Sequence, residues 1–87
     1  MKRKIIKLTK VPKDNKIIKL SFIPNSYIYY YEDDNNKIFD FDEINGYTQF
    51  TISDMIIKII DRIVTIQTIN KESINKEIKF KILVFGD

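Results

Sequence analysis

The chain has 87 residues, of which 44% are hydrophobic and 31% charged, and its formal net charge at pH 7 is +3. This length predicts one domain, residues 1–87, and the apolar content is too high for a disordered chain. The absence of cysteine and histidine excludes disulfides, thiolate zinc sites and the commonest general base. We therefore expect no enzyme, no cofactor and no metal site.

Charge is distributed unevenly along the chain. Residues 1–22 carry eight bases against the single acid Asp14, whereas residues 32–43 carry six acids against the single base Lys37. No segment approaches the roughly 20 apolar residues that cross a bilayer. We expect a soluble, cytoplasmic protein with a basic end and an acidic middle.

A short repeat near the N-terminus predicts a hairpin. The run KIIKLT at residues 4–9 recurs as KIIKLS at residues 16–21, on either side of a segment that contains Pro12 and Asn15. Lysines on such a hairpin can contact phosphates, which makes a nucleic-acid-binding accessory protein one functional hypothesis. The same lysines also suit a strand edge that resists aggregation. The candidate phosphate contacts are Lys4, Lys7, Lys16 and Lys19.

The middle of the chain predicts an antiparallel meander. Asn45-Gly46 has the residue types of a type I′ hairpin turn, and a second polar turn lies at residues 33–36. Centring the strands on these turns pairs Tyr30 with Phe39 and sorts the side chains onto two faces. The apolar face, which we expect to be the core, consists of Ile28, Tyr30, Phe39, Phe41, Phe50 and Ile52.

The opposite face combines tyrosine with acid. Tyrosine is common at interface hot spots, and carboxylates steer a partner that has a basic surface. On a domain without a catalytic motif, this face suggests a non-catalytic protein-binding module. The small size and an amino-acid composition typical of AT-rich genomes suggest that a phage or mobile element encodes it. One such module is a phage or mobile-element inhibitor that occludes a basic surface of a host nucleic-acid-handling protein. Alternatively, a second layer covers the tyrosines as internal structure. The predicted protein-binding residues are Tyr27, Tyr29, Tyr31, Asp40, Asp42 and Tyr47.

Asp40, Asp42 and the polar turn at residues 33–36 each allow a chemical interpretation and a simpler structural one. Asp40 and Asp42 share a strand face, as an acid and base pair would, but a solvated strand explains them better in so small a sheet. The oxygens of residues 33–36 could attract a cation. They lack the spacing of an EF-hand loop, however, and a plain turn is favoured.

The hydrophobic period changes after Ile52. Isoleucines then recur at the i, i+3, i+4, i+7 spacing of a helix face: Ile56, Ile59, Ile60 and Ile63. We predict an amphipathic helix over about residues 53–66, although the β-branched run at 63–69 leaves a strand there as an alternative. Alternation from Ile78 to Val84 predicts a final strand.

The expected fold class is therefore α+β. It consists of an antiparallel β-meander of about five strands, one amphipathic helix packed on it and a C-terminal strand; a small half-open β-barrel is the alternative. Exposed strand edges or the tyrosine face could also assemble copies of the chain, so a self-assembling structural subunit is a third functional hypothesis.

Overall fold

The protein is built almost entirely of β-strands. The computed structural model describes residues 1–35 and 37–87. A 3₁₀ turn at Lys71–Ser73 precedes the last of the strands. The strands are β1 (Lys2–Lys10), β2 (Lys16–Lys19), β3 (Ser26–Glu32), β4 (Lys37–Glu43), β5 (Tyr47–Ile52), β6 (Met55–Ile60), β7 (Ile63–Thr68) and β8 (Glu77–Gly86).

The strands form two antiparallel sheets of four. The first sheet has the order β1-β8-β3-β4, and the second has the order β2-β7-β6-β5. Their facing sides contribute to a single buried hydrophobic cluster, so the sheets pack face to face as a β-sandwich. The predicted α+β class is wrong, and so is the half-open barrel, because in the described part of the chain no strand pairs with both sheets.

The helix predicted over residues 53–66 is replaced by strands β6 and β7. Met55, Ile57 and Ile59 are completely buried, whereas Ile56 and Lys58 between them are only half-buried, which is the period of a strand. Almost every position from 55 to 60 is apolar, so the helical spacing selected residues from both faces of one strand. The β-branched isoleucines that dominate this segment favour extended backbone.

Two tight turns connect these strands. Ser53 and Asp61 both have φ near 50° and lie in the turns that join β5 to β6 and β6 to β7. Such left-handed backbone is what short hairpin turns require, and aspartate tolerates it better than most residues. Ser53 and Asp61, both within the segment predicted to be helical, are therefore turn residues.

The predicted N-terminal hairpin does not form either. β1 pairs with β8 in the first sheet, and β2 pairs with β7 in the second. The repeated sequence nevertheless has a structural meaning. Ile6 and Leu8 of β1 enter the core from one sheet, and Ile18 and Leu20 enter it from the other. The repeat encodes the same inward alternation twice, on opposite layers of the sandwich.

The middle strands follow one predicted register and depart from the other. β3 pairs with β4 so that Tyr30 lies opposite Phe39, as predicted. Asn36, the last residue of the turn predicted between them, lies outside the described residues. Gly46 has the predicted positive φ of 82°, but it connects β4 of the first sheet to β5 of the second instead of closing a hairpin. The predicted C-terminal strand is confirmed as β8.

The two faces of the predicted meander are reversed. Tyr27 and Tyr31 are buried, and the rings of Tyr27 and Tyr29 stack on Phe50 of the second sheet at centroid distances of 5.0 and 4.8 Å. The face predicted to be core turns outward in the first sheet, where Phe39 is 72% exposed. The cause is the second sheet, which covers the tyrosine side. Phe50 and the buried Ile52 do face the core, but from that second sheet.

Candidate functional site

Two rows of side chains cross the outward face of the first sheet. The pairing registers of β1, β8, β3 and β4 align the residues of each row, and alternation along each strand keeps both rows on one side. One row runs from lysine to phenylalanine, and the neighbouring row is entirely apolar. We call this surface the aromatic–lysine face; its rows are Lys7, Lys81, Tyr30 and Phe39, and then Ile5, Leu83, Ile28 and Phe41.

Large apolar side chains of this face are open to solvent. Phe39 is 72% exposed, Phe41 is 56% exposed and Ile5 is 47% exposed, while Tyr30 and Ile28 are half-buried between them. Single exposed apolar residues are ordinary, but adjoining ones on one sheet face form a patch that usually has a binding role. The position of the two phenylalanines side by side on β4 makes this patch the leading candidate site.

Shallow concavities connect the aromatic rings with the lysines. One, of about 460 Å³, is lined by Tyr30, Phe39 and Lys81 together with two aliphatic residues of the face. A second, of about 220 Å³, is also lined by Tyr30 and Lys81 and extends to Lys7 and Lys79. A ligand that lies across the face therefore meets apolar rings and ammonium groups within the same groove.

Two acids border the face, Glu32 beside Tyr30 and Glu43 beside Phe41, and Glu32 is balanced by its neighbours. The Tyr30 hydroxyl donates a hydrogen bond to the Glu32 carboxylate. That bond lowers the pKa of Glu32, Lys37 and Lys79 lower it further, and partial burial acts in the opposite direction. The same hydrogen bond raises the pKa of Tyr30. Glu32 is thus ionised at neutral pH between two lysines, and the row of Lys7 and Lys81 contains no acid.

Asp40 and Asp42 of β4 point to the other side of the sheet, whereas the third acid of this strand, Glu43, shares the side of Phe41. Asp42 Oδ1 accepts a hydrogen bond of 2.8 Å from the backbone N–H of Glu43, and Asp40 makes the same contact with Phe41. The N–H of Ile44 points toward the side of β3, where it donates to the carbonyl oxygen of Asn25, so the N–H groups of Glu43 and Phe41, at the alternate positions, point to the open edge. The two carboxylates therefore occupy backbone donors of the open edge and keep their charge away from the phenylalanines.

The residues predicted to bind a protein do not form one open surface. Tyr27 and Tyr31 are in the core and Tyr29 is half-buried beside them. Burial raises the pKa of Tyr27, with a hydrogen bond to Thr48 acting in the opposite direction. Asp40 and Asp42 are exposed on β4, and the remaining residue, Tyr47, is exposed on β5 of the second sheet.

The four candidate phosphate contacts are also separated. Lys7 belongs to the aromatic–lysine face, but Lys4 is on the opposite side of β1, and Lys16 and Lys19 are on β2 of the second sheet. Sequence reasoning missed Lys81. The alternation of β8 marked it as an outward residue, but only the pairing of β8 with both β1 and β3 brings it beside Tyr30.

Comparisons of the chain with models of known protein families, with curated proteins and with solved structures found no match. Within residues 1–35 and 37–87, no helix is long and apolar enough to cross a membrane. In the same residues, no three acidic side chains come together as a metal site would require. The aromatic–lysine face is therefore the feature of the molecule that points to a function.

Proposed function

We propose that the protein is a nucleic-acid-binding accessory protein and that the aromatic–lysine face is its binding surface. The observation that carries the proposal is the row in which Lys7 and Lys81 stand beside Tyr30 and Phe39. Proteins that bind nucleic acid combine cations for the phosphates with aromatic rings for the bases. A cytoplasmic location belongs to the same proposal.

The distribution of charge supports this function over capture of a basic partner. The chain has a pI of about 9.1. On the outward side of the first sheet the five bases Arg3, Lys7, Lys37, Lys79 and Lys81 outnumber the three acids Glu32, Glu43 and Glu77, while Asp40 and Asp42 turn away from it. A polyanion is therefore attracted to the side of the sheet that also exposes the phenylalanines. A basic protein surface would meet repulsion from these lysines.

The test is an electrophoretic mobility shift with DNA and RNA at about 50 and about 200 mM salt, since phosphate-led binding weakens steeply over that range. We expect a shift at the lower salt that the double variant Lys7→Gln, Lys81→Gln reduces strongly. The matched control is Lys16→Gln, Lys19→Gln, which removes the same charge from the second sheet and should bind nearly as the wild type does. A missing shift at low salt, or an equal loss in both variants, contradicts the proposal.

The alternative role of the aromatic–lysine face is contact between two copies of the chain. Phe39 and Phe41 are exposed enough to pack against a second sheet. Sedimentation without nucleic acid measures this directly. A dimer that Phe39→Ala and Phe41→Ala dissociate, in a protein that shifts no nucleic acid, would assign the face to self-assembly.

The protein-binding role predicted from the tyrosine and acidic residues stays a prediction. Asp40, Asp42 and Tyr47 are exposed, so a partner could contact them without opening the core. They lie on two different sheets, because β4 belongs to the first sheet and β5 to the second. The inhibitor role depends on that same surface. Pull-down with the triple variant Asp40→Asn, Asp42→Asn, Tyr47→Ala tests it, because unchanged capture of a partner would remove these residues from the interface.

A further inference from the structure

We infer that the ligand of the aromatic–lysine face is a single strand, extended parallel to β4, with its bases on β3 and β4 and its phosphates along β8 and β1. The inference rests on the proposed function and specifies the class of nucleic acid. It follows from the order of the strands. The rings of Tyr30, Phe39 and Phe41 are all on the β3–β4 half of the face, and Lys7 and Lys81 are both on the β1–β8 half.

The spacing of the phenylalanines suits an unpaired base. Phe39 and Phe41 are two residues apart on one strand, which separates their Cα atoms by about 6.8 Å. A nucleic-acid strand with stacked bases rises about 3.4 Å per nucleotide. The interval between the two side chains is therefore about two stacking distances, and one planar base fits between them. Both rings are more than half exposed, so a base can reach them from solvent.

The lysines lie at a suitable distance from the phenylalanines to contact the phosphates of the bound nucleic-acid strand. Lys81 is in the row of Phe39, two strands away, which corresponds to about 10 Å between the backbones. Lys7 is one strand further across. The apolar side chains of Ile28 and Leu83 fill the interval in the next row, where sugars would lie. Long lysine side chains then reach phosphates while the bases remain over β3 and β4.

A duplex fits this surface poorly. Base pairs in a duplex hide their faces in the stack, so Phe39 and Phe41 could reach those faces only by separating neighbouring pairs. The exposed rings therefore contribute to binding only when the bases are already unpaired.

The experiment measures fluorescence anisotropy with an oligothymidylate of about twelve nucleotides, a length within the roughly 4–16 nucleotides that one single-strand-binding OB fold contacts. Two comparison ligands are used. One is the duplex formed with oligodeoxyadenylate, and the other is an abasic single strand of equal length. We expect Phe39→Ala and Phe41→Ala each to weaken single-strand binding about tenfold and to change binding of the abasic oligomer little. Phe39→Leu, which keeps apolar volume without a π face, should behave like Phe39→Ala.

Lys81→Gln should weaken binding of the normal and abasic oligomers alike and lower the salt slope by about one. Tyr47→Ala, on the second sheet, is the control that should bind as the wild type does, and thermal unfolding checks that every variant is folded. The single-strand inference would be overturned if the duplex bound as tightly as the single strand or more tightly. It would also be overturned if Phe39→Ala and Phe41→Ala weakened binding of the abasic oligomer as much as that of the normal one. In either case the proposed function would remain. Binding to neither form would overturn both.

Discussion

The backbone N–H of Phe41 donates a 2.8 Å hydrogen bond to the carboxylate of Asp40, at the open edge of the first sheet. The side chain of one residue thus satisfies the edge donor of the next. Unpaired edge donors are templates for another strand, and natural sheets block them with charge or local hydrogen bonds. This contact explains why an edge strand with exposed phenylalanines carries aspartate at alternate positions.

Removal of both carboxylates should open this edge. In the double variant Asp40→Ala, Asp42→Ala, the N–H groups of Phe41 and Glu43 lose their acceptors, so we expect self-association that rises with protein concentration. Sedimentation velocity and light scattering measure it. Asp40→Asn, Asp42→Asn keeps an oxygen acceptor without the charge, and it should associate less. An alanine variant that stays as dispersed as the wild type would show that these bonds do not protect the edge.

Replacing an inward and an outward phenylalanine by alanine should lower the free energy of unfolding by different amounts and so show which side of the first sheet is core. Phe50 stacks on Tyr27 and Tyr29, so Phe50→Ala should lower the free energy of unfolding by about 2–3 kcal/mol, somewhat below the usual cost at a fully buried site. Phe39→Ala, at a position 72% exposed, should change it by less than about 0.5 kcal/mol. Urea unfolding gives both values, and a larger loss at Phe39 would contradict this orientation of the sheet.

Alkaline pH should destabilise the protein through Tyr27. Burial is the main cause that raises its pKa, and the nearby charge of Asp42 adds to the effect. The folded state therefore favours the neutral phenol. This contribution to stability is complete below the ordinary tyrosine pKa near 10 and is lost as the pH rises through the higher folded value.

The measurement is the free energy of unfolding in urea between about pH 8 and about pH 11. Tyr27→Phe should lose less stability over this interval than the wild type does. Tyr47→Phe, on the exposed side of the second sheet, is the matched control and should follow the wild type. Parallel curves for the wild type and Tyr27→Phe would be the contrary result.

The two glycines should respond to alanine for different reasons. A Cβ on Gly86 would overlap the ring of Phe22 and come within 2.9 Å of the carbonyl oxygen of Ile23. We expect Gly86→Ala to cost roughly 1–3 kcal/mol through overpacking. Gly46 has open space around it but a φ of 82°, so Gly46→Ala should cost about 1–2 kcal/mol through backbone strain. In urea unfolding, Phe22→Leu should recover part of the stability lost in Gly86→Ala and none of the stability lost in Gly46→Ala.

The sequence was informative where local pairing alone determined the structure. The register of Tyr30 with Phe39 followed from one turn and the apolar pairs on either side of it, and β8 followed from strict alternation. The segment from Met55 to Ile60 could not be assigned by period. It is apolar at nearly every position, so the patterns of a helix and of a strand both fit it.

The direction of the faces depended on information that no local pattern contains. β3 has tyrosines on both sides, so either side of this strand could be the core, and Phe39 and Phe41 on β4 favoured the side that is in fact exposed. The choice is made by Phe50, which belongs to the other sheet and stacks on Tyr27 and Tyr29. Sequence reasoning therefore listed Lys7 as a candidate but interpreted Phe39 and Phe41 as core.

The position of β8 also has a consequence for the order of assembly during synthesis. β8 lies between β1 and β3, so residues 2–10 and 26–32 have no shared partner until residues 77–86 have left the ribosome. β5, β6 and β7 are consecutive hairpins and can pair as soon as each is made. The nascent chain should therefore carry a formed second sheet with its apolar side uncovered. That interval is when the protein most needs a chaperone.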